Sequence, residues 1–247
     1  MSGQLTMEKN INDISLAQAA MISGIGYLIM IIIAPFSYGY VYSGIVIPED
    51  AQLTINNVSN NEMLFRAGLS GFIIVILSDV LVSLGLYVFL SPVNRTLALL
   101  TAWFRLIYVA IFAVALNSLF DVLHLVSGIE LANKLEVEKT QLVILQLTHK
   151  FDYGWLIGLV FFGMHLALVG TLILRSNYIP RFLGILIILA ALGYLSDSFA
   201  HFLMPNYVAY KDIFILIVLV PATIGELSLC LWLLIKGTKT KLDNNLT

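Results

Sequence analysis

Charge is what this sequence has least of. Asp, Glu, Lys and Arg make up 11% of its 247 residues, against about 25% in soluble domains. So few charges cannot coat a globular surface, which excludes a soluble protein although the length would allow one or two domains. The 13 basic and 15 acidic residues nearly cancel to a formal charge of −2, leaving no basic footprint for nucleic acid. Cysteine is nearly missing too. Cys230 stands alone in an apolar run, so there is no intrachain disulfide framework. Residues 1–16 lack the basic start of a cleavable leader and carry Glu8, Lys9 and Asp13. The apolar run after them is also longer than the roughly 7–15 residues of a signal core. No Walker loop, GxGxxG, GxSxG, CxxC or HExxH run occurs, which leaves soluble-domain enzymology without a foothold.

What fills the chain instead is apolar. Hydrophobic residues reach 60% and the mean hydropathy is +0.94. Crossing hydrocarbon as a helix takes about 20 mostly apolar residues, and six stretches qualify: Ala17–Val41, Leu64–Leu90, Leu97–Phe120, Tyr153–Leu174, Phe182–Met204 and Ile213–Ile235. The expected fold is all-α, a polytopic transmembrane bundle of about six helices over 17–236, between tails 1–16 and 237–247, with the lipid bilayer as its partner. Pro35 and Pro221 fall inside the first and last stretch, as membrane helices allow when neighbours satisfy the freed carbonyls. Breaks such as Ser91-Pro92-Val93-Asn94 and Ser176-Asn177-Tyr178-Ile179-Pro180 carry turn residues.

Basic residues set the orientation. With the N-terminus inside, inner segments hold Lys9, Arg95, Arg175, Arg181, Lys236, Lys239 and Lys241, and outer loops hold Lys134, Lys139, Lys150 and Lys211. Ser43–Met63 has neither Lys nor Arg. Both termini are therefore expected in the cytoplasm of a cell-membrane protein. The loop Asp121–Asp152 is too polar to span. Val143, Ile144, Leu147 and Phe151 share one helical face, which reads as a short amphipathic helix on the outer interface or a loop helix packed on the bundle ends. Gly154 and Gly158 form a GxxxG pair suited to close helix packing. Leu77-Ser78-Asp79 and Leu195-Ser196-Asp197 echo each other, as two inverted three-helix halves would.

Ionisable residues within the hydrocarbon are functional candidates by default, because an unpaired charge there costs at least a few kcal/mol. Counted from the outer helix ends at about 1.5 Å per residue, Asp79 and Arg105 lie ~22 Å deep, Glu226 ~20 Å and His165 ~18 Å. These four helices thus place a charged or titratable side chain at one level. With His165 neutral the set carries one net negative charge, and protonating the imidazole balances it, which is the arithmetic of a proton-linked site. A plain interhelical ion pair meets the same description. Arg105 cannot discharge its proton, so it is expected to pair with Glu226, Asp79 or both.

A second set lies nearer the outer face. Asp197 and His201 are four residues apart on one helix face, and Ala190, Gly193, Tyr194 and Ser198 continue that small or polar stripe, which should face the bundle. Asp121 and His124 end the third stretch, and His149 and Asp152 open the fourth. No cofactor is expected from these residues. The alternative is zinc on His124, His149 and His201, with an open position for hydrolysis.

Several runs carry a resemblance: Phe65-Arg66, Leu90-Ser91-Pro92-Val93-Asn94, Phe104-Arg105-Leu106, Phe161-Phe162-Gly163, Ile179-Pro180-Arg181-Phe182-Leu183-Gly184, and Glu226 followed by Leu231-Trp232-Leu233-Leu234-Ile235-Lys236-Gly237. Over nearly its whole length the chain resembles the bacterial multi-pass membrane proteins grouped as the domain-of-unknown-function family numbered 4386. Arg105 and Glu226 match polar positions that recur in that family, whereas His165 and His201 fall outside its general pattern. The resemblance implies a membrane protein and no particular chemistry. Three functions follow from the residues. The first is small-solute binding or proton-linked transport through the deep cluster, the second an outer-face metal-dependent membrane hydrolase, and the third a regulatory or scaffolding protein whose ion pairs serve packing.

Overall fold

A computed structural model describes residues 14–128 and 134–240. Lys9, Lys241 and most of both expected tails lie outside the described residues.

The chain is helical almost throughout. Helix α1 (Leu16–Ala34) opens on a capping box, in which Ser15 Oγ accepts from Gln18 N and Gln18 Oε1 accepts from Ser15 N. At Pro35 the ring displaces the carbonyl of Ile31 and offers it no N–H. The helix does not stop there but widens into a π-helical segment, Pro35–Tyr42, and closes with Ser43–Ile45. The short α2 (Ala51–Asn60) is capped by Asp50 Oδ1, which accepts from Leu53 N at 2.8 Å. Then follow α3 (Glu62–Leu90), α4 (Arg95–Gly128), α5 (Lys134–Arg175), α6 (Arg181–Leu203) and α7 (Lys211–Ile235).

Among the described residues six helices are long and apolar enough to cross a membrane. Each packs on the next in chain order, and α1 packs on α7, so the six close into a ring. Their outward faces carry Ile32, Leu77, Val114, Leu192 and Leu216, all well exposed, as lipid-facing residues must be where no water satisfies polar groups. The ring is uneven. In α5, 61% of the apolar window is buried inside the bundle, but in α7 only 22%, so α7 presents most of its surface to the surroundings.

The region read as a polar loop is two helix ends. Helix α4 runs on to Gly128 and α5 already starts at Lys134. The segment assigned to a short amphipathic helix, Val143 to Phe151, is therefore the first part of the 42-residue α5. That length, about 63 Å at helical rise, exceeds a bilayer's ~30 Å core, so its polarity signals protrusion rather than a break. Its apolar face is not spare: Ile144 and Phe151 are fully buried, and Gln141 Nε2 donates to Gln52 Oε1 of α2 at 2.5 Å. The short amphipathic helix of the fold is α2, which buries Ala51, Thr54, Ile55 and Val58 along one face.

Close approaches hold neighbouring helices. A β-carbon on Gly154 would sit 2.6 Å from Cβ of Ala115, so that half of the GxxxG pair lets α5 seat against α4. A β-carbon on Gly193 would sit 2.6 Å from the carbonyl oxygen of Ile217. That oxygen is the one Pro221 leaves without an intrahelical donor, four residues on. Gly193 therefore lets α6 lie against the weakened turn of α7.

Candidate functional site

Arg105 is the largest fully buried side chain among the described residues. It stands about a third of the way along α4 and reaches the centre of the ring. Nε and Nη2 both donate to Asp79 Oδ1 of α3, at 2.9 and 2.6 Å. Nη1 donates to the Tyr27 phenol of α1 at 3.2 Å and approaches His165 Nε2 of α5 at 2.9 Å. Nη2 also faces Met30 Sδ at 3.6 Å. The guanidinium carbon lies 5.1 Å from the Tyr27 ring centre and 5.4 Å from that of Phe162, near enough for both π faces to attract it. Every N–H of the group thus has an acceptor, the condition under which a buried charge is tolerated.

The imidazole's protonation state follows from its neighbours. His165 Nδ1 is 2.9 Å from the carbonyl oxygen of Thr101, an atom that only accepts, so Nδ1 carries the hydrogen. Nε2 faces an Arg105 N–H, so it is the bare nitrogen and accepts. His165 is neutral here. A second proton would set N–H against N–H, so the imidazole does not provide the balancing charge expected of the deep set.

The four deep residues are not one mutually bonded group. Arg105 pairs with Asp79 and not with Glu226, which forms no ion pair among the described residues; the Tyr194 phenol donates to Glu226 Oε1 at a long 3.4 Å. Depth along the helices placed all three together, and rotation about the helix axes separated them. Asp79 is turned fully inward, whereas Glu226 is half-buried. Arg105 and Asp79 are within electrostatic range of Glu226 without touching it.

Glu226 faces a cavity of about 450 Å³ lined mostly by apolar and aromatic side chains. Asp79, Arg105 and Tyr27 form its floor with Glu226, and Tyr38, Trp155, Phe162 and Tyr194 contribute rings to its walls. Ile215, Leu219 and Thr223 of α7 line it too while exposed on the outside of the ring. Near its first half α7 leans on α6 through Gly193, and it meets α1 near its other end, where Leu234 lies against Gly24 and Cys230 Sγ reaches the Gly24 carbonyl at 3.3 Å. Away from those α1–α7 contacts, Ala34 and Pro35 on one side and Ile215, Val218 and Leu219 of α7 on the other border the cavity, and Pro221 interrupts α7 a few residues further on.

The second set divides among separate partners. Asp197 lines the upper cavity and accepts from the Tyr207 phenol at 2.7 Å. Asp152 accepts from Tyr42 at 2.6 Å. His201 packs its ring 4.4 Å from that of Tyr207 and 6.5 Å from Tyr153. His149 Nε2 is 3.6 Å from Glu49 Oε1. His149, His201 and Lys211 are near enough to Asp152 for their charges to act on it, whereas Asp121 and His124 are exposed with no bond to the others. Among the described residues no three His, Cys, Asp or Glu side chains are grouped to hold a metal ion. The expected inward stripe on α6 faces the bundle over most of its length, with Ala190, Gly193 and Ser198 buried and Tyr194 and Asp197 half-buried, but His201 at its outer end is exposed.

Residues that sequence reasoning passed over complete the centre. Tyr27, Thr101, Met30 and Phe162 all contact Arg105 or its partner. None carries a charge, so none stood out in an apolar run. A phenol half-way along α1 was the available signal.

A ring of six apolar helices around a bonded ion pair is the architecture of a multi-pass membrane protein. The chain belongs to the family described as Domain of unknown function (DUF4386), which matches residues 22–237. An uncharacterized protein of Archaeoglobus fulgidus is 31% identical over 169 residues, covering 68% of this chain and 83% of its own length. No solved structure matches the chain.

Proposed function

We propose that the protein binds a small solute in the cavity above Arg105 and moves it by proton exchange at Glu226. One observation carries this reading. Arg105 and Asp79 satisfy each other, whereas Glu226 faces open space with no cation bonded to it. A carboxylate at membrane depth needs a proton or a positive partner, and an accessible cavity lets either arrive. The two proline-weakened helix turns, at Pro35 and Pro221, supply elements able to rearrange around a bound solute. We place the protein in the cell membrane with both termini cytoplasmic, on the basic-residue asymmetry.

The saturated guanidinium favours a second reading, in which the polar centre only registers the helices and the protein acts as a scaffold or regulator. Thermal unfolding of purified protein separates the two. A panel of amino acids, amines, carboxylates and sugars is compared on the wild type and on Ala222→Trp, which fills the cavity, with Ala34→Phe as a second filler. At least one solute class raises the wild-type Tm and leaves the filled variants unmoved. Equal responses from wild type and both fillers, or no response at all, would overturn the solute reading.

A further inference from the structure

The charges around the cavity are unequal in a way that selects the ligand. From α3 comes Asp79, from α6 Asp197 and from α7 Glu226; among the described residues that line it the one cation is Arg105 of α4. Helix α1 adds only the phenol of Tyr27 and the π-helical segment that of Tyr38, α4 also adds Tyr108, α6 adds Tyr194, and α5 contributes no charged residue. His165, behind Arg105, is neutral. Since every Arg105 N–H is engaged, no donor of positive charge is left for an anionic ligand. Two carboxylates, Glu226 and Asp197, are left for a cationic one. Tyr194 and Asp197 lie three residues apart on one face of α6, so the Glu226 level and Asp197 are separated by about one helical turn, ~5 Å. The cavity thus offers carboxyl groups, and no free cation among its described lining residues, along its length.

The walls decide which cation. Hard metal ions take about six to eight oxygen ligands, and this lining offers isolated carboxylates among rings and aliphatic chains. Aromatic faces attract an ammonium or onium group that has shed its water, and the apolar walls bury its substituents. Ile215 and Leu219 line the cavity and are exposed on a helix long and apolar enough to cross a membrane, so the bilayer side of α7 is the route by which an amphiphile would reach the cavity.

We propose that the ligand is a lipophilic organic cation, an amine or quaternary onium with an aromatic or branched apolar body, held by Glu226 and exchanged there against a proton. This rests on the reading of the cavity as the solute site. In the empty state Glu226 holds a proton as a neutral carboxyl. On binding, that proton leaves to solvent, the carboxylate pairs with the incoming cation, and the charge of the site is conserved. Protons and ligand therefore compete, and affinity rises with pH until Glu226 is ionised throughout.

Tetraphenylphosphonium and tetraphenylborate test this directly, because they share one shape and carry opposite charge. The sequence has three tryptophans, so a Trp103→Phe, Trp232→Phe background leaves Trp155, in the cavity wall, as sole fluorescent reporter. Tetraphenylphosphonium should quench Trp155 saturably, more tightly at higher pH, and tetraphenylborate should not. Glu226→Gln should weaken the phosphonium by about tenfold or more, the effect of losing one charged contact, and Glu226→Asp should restore most of it. If Glu226→Gln fails to fold, Glu226→Asp and the wild-type pH dependence carry the test. Equal phosphonium binding by Glu226→Gln, or affinity that does not rise with pH, overturns the proposal. Saturable borate binding without phosphonium binding overturns the cation assignment and leaves the solute cavity standing. So does failure of both probes while the solute panel still separates wild type from the filled variants. Failure of both probes and of that panel removes the cavity reading itself.

Discussion

His165 holds its bare Nε2 2.9 Å from Nη1 of Arg105, with the opposite ring nitrogen bonded to the carbonyl of Thr101. The histidine thus works as an acceptor that fixes the guanidinium rather than as the group that gains a proton. The ¹⁵N shifts of the labelled imidazole should report hydrogen on Nδ1 and a lone pair on Nε2. A doubly protonated ring at neutral pH would contradict this.

Breaking the buried pair should be costly. Asp79→Asn or Arg105→Met alone leaves one uncompensated charge inside the ring, which destabilises by about 3–5 kcal/mol. The double variant Arg105→Met, Asp79→Leu removes both charges, and its loss should be smaller than the sum of the single losses. Denaturant unfolding in detergent measures the cycle. Additive losses would mean that the pair is not coupled.

Reporter fusions after Lys241 and within Ser43–Met63 should report opposite sides of the membrane, with the former cytoplasmic. Signals from the same side would overturn the orientation.

Much of this arrangement was legible because an arginine cannot escape burial by discharging. Its depth required a partner, and the sequence narrowed that partner to Asp79 or Glu226. The choice between them depended on rotation about the helix axes, which apolar runs without a strong polar face do not encode. Helix number was equally legible from the long apolar stretches. The ends of α4 and α5 were not, since a helix that outruns the bilayer turns polar just as a loop does. In that stretch the apolar face of Ile144 and Phe151 was legible, but what covers it was not: Phe151 packs on the rings of Tyr42, Phe72 and Phe112. The outer histidines looked alike in sequence but divide between a tyrosine ring for His201, Glu49 for His149 and exposure for His124.

Asp79 is bonded to Arg105 whereas Glu226 faces the cavity, and an infrared pH titration tests most directly whether only Glu226 exchanges protons. A protonated carboxyl and a carboxylate absorb at separate frequencies, so each buried group that trades protons with solvent leaves a difference band. Wild-type protein should show such a band that Glu226→Gln abolishes, because Glu226 faces the cavity. Asp79→Asn should leave that band in place, because Asp79 stays ionised beside Arg105. A titrating carboxyl that survives Glu226→Gln and disappears with Asp79→Asn would contradict the account.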